Sequence, residues 1–249
     1  MTRTIGIGIA EDPEKVVASI RAVGPGLRVI GYCTPETGAK IRGTVPLKES
    51  ATPEEDLPRD LFSGAIDAAV RGTLPANGTL RALKKAAGVD HLERIALLET
   101  ASGKKFLLTP VGVDEGYSVR DKVAFVEKGR AIAEKFGLSP KVAILSGGRL
   151  GDIGRDGTVD RSMADAELVA RITGAVHSEI LIEDAIGYAG LIIAPDGISG
   201  NLIFRTLTFL GNGKGHGAPV VNIGKIFVDT SRASPDYTNA LLLAASLLD

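Results

Sequence analysis

Short apolar runs, each followed by a segment with helical spacing, set the strongest limit on how this chain can fold. Such runs include Thr4–Ala10, Arg28–Cys33, Val142–Leu145 and Leu191–Ala194. They are apolar on both faces, which is typical of strands in a parallel sheet that helices cover on both sides. We therefore predict an α/β fold with three layers, α/β/α, and a mostly parallel sheet. Its ligands should bind beyond the carboxyl ends of the strands.

Local capping and breaker signals predict further elements of this alternating pattern. A helix should begin at Asp12-Pro13, since Asp can cap free amides and Pro suits the first helical turn. The remaining expectations are an irregular stretch over Thr34–Pro58, helical spacing over Leu61–Arg71, a long helix over Ser118–Lys135, a helix from Ser162, a strand over Glu179–Ile182 and a helix over Asn201–Leu210.

The chain has 249 residues, enough for one domain or for two subdomains that share a cleft. We expect a single domain over 1–249, with possible subdomains at 1–118 plus 224–249 and at 119–223. Glycine is over-represented, with 31 residues concentrated in short loops beside apolar runs. That distribution indicates close backbone approach to a ligand rather than disorder.

Charge and aromatic content argue against two classes of partner. The 29 Lys and Arg residues nearly balance the 30 Asp and Glu residues, so neither nucleic acid nor an anionic membrane is expected. Aromatic residues make up 4% with no Trp, which disfavours stacking on single-stranded nucleic acid.

Cysteine and histidine usage disfavours disulfides and metal sites. Cys33 is the only cysteine, and the three histidines (His91, His177 and His216) lack metal-ligand spacing. We expect no metal and find no evident cofactor motif. No signal peptide pattern and no apolar run of about 20 residues is present, so the expected location is cytoplasmic.

The first candidate site is the loop that opens at Ser146, Gly147, Gly148 and Arg149 and continues to Arg161. Glycine amides and arginine side chains together can bind phosphate or carboxylate oxygens. The alternative is a surface turn whose solvated arginines pair with the acidic residues of the same loop, Asp152, Asp156 and Asp160.

The second candidate is the turn formed by Asp196, Gly197, Ser199, Gly200 and Asn201, which leads from an apolar strand into a helix. The amides and dipole at a helix start attract anions. Helix capping by Ser199 and Asn201 would also explain these residues.

Two further segments could serve the same ligand. Gly211–Gly217 carries Lys214 and His216 among alternating glycines, and is predicted to be a mobile lid, a ligand cradle or a flexible connection. Ser231 and Arg232 follow Asp229 at a strand end, where they could polarise an acyl or phosphoryl oxygen. Alternatively they are turn residues, with Asp229 neutralising the arginine.

Several of these strings resemble a known superfamily. Phe136–Ser146, Ala189–Asn201 and Ala218–Ile223 with Asp229–Arg232 are similar to segments of the phosphate acetyl- and butyryltransferases. The strings Leu145–Arg149, Ile182–Ile186, Pro195–Leu202 and Gly213–Pro219 resemble a short archaeal branch of that superfamily, the MtxX family. Its members are also called methyltransferase-related subunit X or methanogenesis marker protein 4.

The resemblance implies an isocitrate/isopropylmalate dehydrogenase-like fold with two subdomains around a cleft, and a homodimer. It also implies a methanogen setting and a link to methyltransferase and corrinoid protein subunits. It assigns Ser231 and Arg232 as catalytic ligand contacts. The acyltransferases carry an Asp base seven positions after that serine, but this chain has Thr238 there, with Asp236 two positions early and Ser234 in place of the family's Cys. The general base is therefore unassigned.

Three functions remain open from the sequence. The first is a methyltransferase or methyltransferase-associated subunit that binds an anionic, phosphate-bearing small molecule. The second is a phosphate acyltransferase that acts on acyl-coenzyme A and phosphate. The third is a non-catalytic binding protein that retains the cleft. All three require the Ser146 loop, the Asp196 turn and Arg232 to face a common cavity.

Overall fold

The computed structural model describes residues 3–248, in which helices and strands alternate along most of the chain. The strands are β1 (Thr4–Gly8), β2 (Arg28–Cys33), β3 (Leu47–Glu49), β4 (Ala68–Val70), β5 (Ala96–Glu99), β6 (Lys105–Thr109), β7 (Val142–Ile144), β8 (Val176–His177), β9 (Leu191–Ile193), β10 (Lys214–Pro219) and β11 (Ile226–Asp229). The helices are α1 (Pro13–Ala22), α2 (Pro35–Ile41), α3 (Pro53–Ser63), α4 (Ala76–Ala87), α5 (Val119–Lys135), α6 (Gly157–Thr173), α7 (Ile182–Tyr188), α8 (Gly197–Phe209) and α9 (Thr238–Leu247). The predicted α/β fold with a mostly parallel sheet is confirmed.

The chain divides into two compact units. The first unit comprises the described residues up to Leu92 together with those from His216 onward, and the second unit comprises Glu93–Gly215. The sequence-based limits lay later, at 118/119 and 223/224. The segment 93–118 belongs to the second unit because β5 pairs with β6, and β6 in turn pairs with β9.

In the first unit the strands pair in the order β3-β2-β1-β4-β11, all parallel, and β10 joins β11 in the antiparallel direction. Helix α3 packs against α4 and against β1, β2 and β4, whereas α9 packs against α1 and against β1, β4 and β11. Leu57, Leu61, Leu74, Leu83 and Phe227 are fully buried in one cluster of this core. Burial of these apolar side chains is the main term that stabilises the unit.

In the second unit the order is β5-β6-β9-β7-β8, parallel except for the β5–β6 hairpin. Helices α5 and α6 pack together, with α5 against β6 and β9 and α6 against β7 and β8. Helix α5 begins with a capping box in which Ser118 Oγ accepts from the Asp121 amide and Asp121 accepts from the Ser118 amide. The predicted long helix from Ser118 is confirmed.

Several local predictions were wrong. The helical spacing of Leu61–Arg71 is interrupted because Gly64 adopts φ +82° and ends α3, after which β4 pairs with β1 and β11. The Glu179–Ile182 segment is a turn into α7 rather than a strand. The stretch Thr34–Pro58 is largely regular, because Pro35 and Pro53 each stand in the first turn of a helix.

Two helix starts differ in detail from the sequence expectation. Helix α1 begins at Pro13 as predicted, but the Asp12 side chain forms no capping hydrogen bond, and the Asp12 carbonyl accepts from Lys15 and Val16 instead. Helix α6 begins at Gly157, before Ser162, because Asp156 caps it through the Thr158 amide.

Glycine in β1 is required by packing. A Cβ atom on Gly8 would lie 2.4 Å from the Arg71 carbonyl oxygen, which is backbone and cannot rotate away. We expect Gly8→Ala to lower the free energy of unfolding by about 1–3 kcal/mol, since overpacking forces the backbone to shift. Gly26→Ala is the matched control, because nothing lies within 4 Å of its Cβ position, and its change should stay within about 0.5 kcal/mol. Urea unfolding measures both, and equal effects would contradict the packing explanation.

Candidate functional site

Three neighbouring parallel strands of the second unit end at one edge of their sheet. Strand β9 pairs with both β6 and β7, with Thr109 and Ile144 each opposite Ile193. Helices α5, α6 and α8 all begin in the segments that follow these strand ends. The predicted Ser146 loop and Asp196 turn therefore leave adjacent strands at the edge where ligands of such sheets bind.

The backbone amides of the Ser146 loop are bonded largely to side chains of the chain itself. These bonds are Gly147 N to Ser162 Oγ (2.9 Å), Arg149 N to Asp152 Oδ2 (2.8 Å), Leu150 N to Glu179 Oε1 (3.1 Å) and Gly154 N to Asp160 Oδ1 (2.9 Å). The loop is thus ordered by internal acceptors, and the donors that remain for an external anion are chiefly side chains.

The arginines of this loop differ in their partners. Arg155 pairs with Asp152 at 2.5 Å and Arg161 pairs with Asp165 at 2.8 Å, both arginines being mostly exposed. Arg149 is exposed and forms no side-chain ion pair with any residue between 3 and 248. Gly148 is buried, and a Cβ there would lie 2.6 Å from Val159 Cγ1, so this glycine is explained by packing.

Ser146 lies in a hydrogen-bonded chain with His177 and Glu167. Its hydroxyl donates to the Gly148 carbonyl at 3.0 Å, His177 Nε2 lies 3.0 Å from the same Oγ, and His177 Nδ1 lies 3.3 Å from Glu167 Oε2. With its proton donated to the Gly148 carbonyl, the Ser146 hydroxyl is not activated as a nucleophile. Ser146 is also only 1% exposed. We infer that these hydrogen bonds hold the Ser146 loop in place.

The Asp196 turn is shaped by contact with the segment after β6. Asp196 Oδ1 caps α8 by accepting from the Ser199 amide at 2.7 Å. Cβ atoms on Gly197 and Gly200 would lie 1.5 Å from the Gly112 oxygen and 1.9 Å from the Pro110 oxygen. Asn201 Nδ2 donates to the Val111 carbonyl at 3.0 Å.

This geometry revises the expected capping of α8. The cap is Asp196 rather than Ser199 or Asn201. The two glycines are required because the helix start lies directly against backbone oxygens of the neighbouring loop.

Lys214 and His216 lie in β10 rather than in a lid. Lys214 Nζ lies 3.4 Å from Glu99 Oε1, and the lysine side chain is 64% exposed. Pairing of Ala218 with Asp229 and of Pro219 with Val228 orders the end of this glycine-rich segment. The strand reading was missed because alternating glycines carry no apolar pattern.

In the first unit, Ser231 and Arg232 follow β11. Tyr237 Oη donates to the Ser231 carbonyl at 3.1 Å, and Arg232 pairs with Glu11 at 2.7 Å in an exposed ion pair. Asp229 does not neutralise Arg232, as the sequence alternative supposed, but pairs with the buried Arg71.

Arg71 is a functional candidate that the sequence analysis missed. It is 5% exposed, and its guanidinium donates to Asp229, to the Thr230 carbonyl and to the Leu74 carbonyl. It therefore holds the start of the segment that carries Ser231. An arginine between Val70 and Gly72 in an apolar stretch was the available signal.

The predicted site residues are divided between the two units. The Ser146 loop, the Asp196 turn and Lys214 belong to the second unit, whereas His216, Ser231 and Arg232 belong to the first. The first two segments leave adjacent strand ends, and a cavity shared with Arg232 stays a prediction.

The two arginines near Ser231 should differ sharply in their contribution to stability. We expect Arg71→Met to lower the free energy of unfolding by about 3–5 kcal/mol, because the buried Asp229 carboxylate would lose its ion pair with Arg71. Arg232→Met removes an exposed pair and should cost about 0–1 kcal/mol. Chemical denaturation of both variants is the measurement. A loss for Arg71→Met below about 1 kcal/mol would contradict a structural role for this pair.

Solved structures define the class of fold. The chain is similar to a branched-chain phosphotransacylase from Enterococcus faecalis, with a TM-score of 0.77, 19% identity and 100% coverage of both chains. It is also similar to isocitrate dehydrogenase from Methylococcus capsulatus, with a TM-score of 0.57, 12% identity and coverage of 99% and 85%. These likenesses confirm the expected phosphotransacylase and isocitrate dehydrogenase-like fold. No protein-family profile matches the chain.

Sequence relatives then identify the family. Proteins named "Putative methyltransferase mtx subunit X" are 50% identical in Methanosarcina acetivorans and 46% identical in Methanosarcina barkeri, each over 84% of this chain and over 76% and 79% of the relative. A Methanopyrus kandleri protein named as an uncharacterized methyltransferase is 39% identical over 78% of this chain and 80% of its own length. The chain belongs to the methyltransferase mtx subunit X family.

No helix within residues 3–248 has the length and apolar character needed to cross a membrane.

Proposed function

We propose that this chain is a methyltransferase-associated subunit of methanogenic archaea that binds a phosphate-bearing small molecule in its second unit. The ligand site lies at the edge where β6, β9 and β7 end. Family membership supports the methyltransferase setting, because the relatives from three Methanosarcina species carry that name. The chemistry of the strand ends supports the anionic ligand.

One observation carries the proposal. Strands β7 and β9 are adjacent and parallel, and each is followed by a glycine-containing segment and the start of a helix of at least 13 residues. Both helix dipoles thus present their positive ends at one sheet edge, which favours an anion there. The exposed Arg149 adds a planar donor group suited to phosphate oxygens.

The methyl carrier belongs to a partner in this proposal. The sequence contains no recognisable motif for S-adenosylmethionine or for a corrinoid. A subunit with a phosphate-binding edge but no carrier motif fits an accessory role, in which a methyltransferase or corrinoid protein supplies the methyl group. At the position of the acyltransferase base this chain has Thr238, the first residue of α9, and the nearby Asp236 accepts a hydrogen bond from the Thr238 amide.

Phosphate should stabilise the folded chain. We expect inorganic phosphate at about 100 times its Kd to add about 2.7 kcal/mol to the free energy of unfolding, because only the folded state binds it. Arg149→Met should weaken that binding about 10-fold or more, through loss of a charge-assisted hydrogen bond. Differential scanning fluorimetry and isothermal titration calorimetry measure the two effects.

Arg171→Met is the control for this experiment. Arg171 lies in the last turn of α6, and its side chain is 82% exposed. The substitution therefore removes the same charge, but far from the strand ends. Its phosphate affinity should equal that of the unmodified chain. No stabilisation by phosphate, acetyl phosphate or coenzyme A at millimolar concentration would remove the anionic-ligand proposal.

Two experiments distinguish a methyltransferase-associated subunit from a phosphate acyltransferase. We expect the tagged chain to retain a methyltransferase or a corrinoid protein from methanogen extract, identified by mass spectrometry and by the corrinoid absorption spectrum. Release of coenzyme A from acyl-coenzyme A and phosphate should not exceed that of Arg232→Ala, since loss of a base costs about 10²–10⁴-fold. Activity that Arg232→Ala abolishes would instead favour a phosphate acyltransferase.

A further inference from the structure

Lys122 in α5 is a buried cation without a direct partner. The residue is 5% exposed, and its side chain forms no hydrogen bond and no ion pair with any residue from 3 to 248. Lysine is almost never fully buried unless it is paired, because removing an ammonium from water costs several kcal/mol. The burial of Lys122 is therefore not explained by a contribution to stability.

The Lys122 amine is not sealed from solvent. Among the described residues, every side-chain nitrogen or oxygen that is sealed from solvent has a hydrogen-bond partner. Since Lys122 Nζ has no partner, it must keep some contact with solvent, although the rest of its side chain is covered. The amine therefore keeps a small exposed area although the residue as a whole is buried.

Four charged groups surround this amine, and each acid already serves another donor. Asp121 on the same helix accepts from the Ser118 amide, Asp165 of α6 pairs with Arg161, and Asp196 caps α8. Burial lowers the pKa of Lys122, and Arg161 adds to that effect, whereas Asp165, Asp196 and Asp121 oppose it. None of the three carboxylates lies within 4.0 Å of the amine, so they compensate its charge only from a distance.

The position of Lys122 coincides with the strand ends described above. Helices α5, α6 and α8 begin after β6, β7 and β9. The charges that act on the amine include Asp121 in the first turn of α5 and Asp196, which caps α8, whereas Arg161 and Asp165 lie further along α6. The amine therefore stands at the edge where the Ser146 loop and the Asp196 turn leave the sheet. The sequence analysis gave Lys122 no role.

We propose that the Lys122 ammonium contacts the phosphate group of the ligand directly. The inference rests on the proposed function and names a residue of the same site. A phosphate oxygen would supply the acceptor that the chain itself does not provide, and Arg161 would add a second positive charge nearby. In the free protein Asp165, Asp196 and Asp121 offset part of the effect of burial on the pKa of Lys122, and a phosphate oxygen would form the charge-assisted hydrogen bond that they do not form.

The test compares inorganic phosphate binding to the full chain and to three variants. Lys122→Met removes the charge and keeps the length of the side chain, whereas Lys122→Arg keeps the charge. Lys104→Met is the matched control, because Lys104 is exposed in the turn before β6, at the opposite edge of the sheet. Calorimetry gives the affinities, and melting temperatures are recorded with and without phosphate.

We expect Lys122→Met to weaken phosphate binding about 10- to 100-fold, as loss of a hydrogen bond to a charged group does. Lys104→Met should bind like the unmodified chain. The melting temperature of phosphate-free Lys122→Met should equal or exceed that of the unmodified chain, because an unpaired buried ammonium is removed. A lysine that only supports the fold would give the opposite result, namely a lower melting temperature with unchanged phosphate affinity.

The pH dependence gives an independent readout. Above pH 8 phosphate is a dianion throughout, so a fall in its affinity reports loss of protons from the protein. Affinity should fall as the pH rises through the pKa of Lys122, which lies below the ordinary lysine value, and Lys122→Arg should not show this fall because arginine stays protonated. If the unmodified chain binds no phosphate, both the proposed function and this inference fail. If it binds and Lys122→Met binds equally well, this inference alone is overturned.

Discussion

The parallel pairing of β9 with both β6 and β7 is the constraint on which the candidate site depends. Each backbone group of a buried strand needs a hydrogen-bond partner, so three apolar segments remote in sequence are held side by side in one direction. Their carboxyl ends then fall at one edge, and the chain can continue only by turning into loops and helices there. Helix starts, glycine turns and charged side chains meet at that edge as a consequence of sheet topology.

Much of this arrangement could be predicted from the sequence, because continuous apolar runs specify buried parallel strands. The runs at Val142 and Leu191 became β7 and β9, and Ser118 began α5 as its capping pattern required. The errors have two causes. Gly64 divides a stretch of helical spacing, and this glycine is a local helix-ending signal that the apolar spacing concealed. Strand β10 forms from alternating glycines because its end pairs with β11, and that outcome has no local signal.

Sequence reasoning placed two candidate segments after strands that turn out to be adjacent, but it did not predict what their glycines and amides contact. Loop composition pointed to the Ser146 and Asp196 segments, but the same glycines turn out to be explained by close packing, as Gly200 is by the Pro110 oxygen. Amides that could bind an anion are bonded to Ser162 and to acidic side chains. Motif reading cannot detect this, because an internal acceptor and an external ligand require the same donors.

The buried cations of this chain differ in whether they have an acidic partner. Arg71 is paired with Asp229, and Arg94 lies 2.6 Å from the buried Glu115, so both serve to hold loops that would otherwise lack anchors. Burial outweighs the opposing effect of Arg94 and raises the carboxyl pKa of Glu115. Burial likewise lowers the pKa of Lys122, whose amine has no partner within hydrogen-bond distance among residues 3–248. Within residues 3–248 the other buried charges are paired within hydrogen-bond distance and the Lys122 amine is not, which is the contrast behind its proposed contact with a ligand.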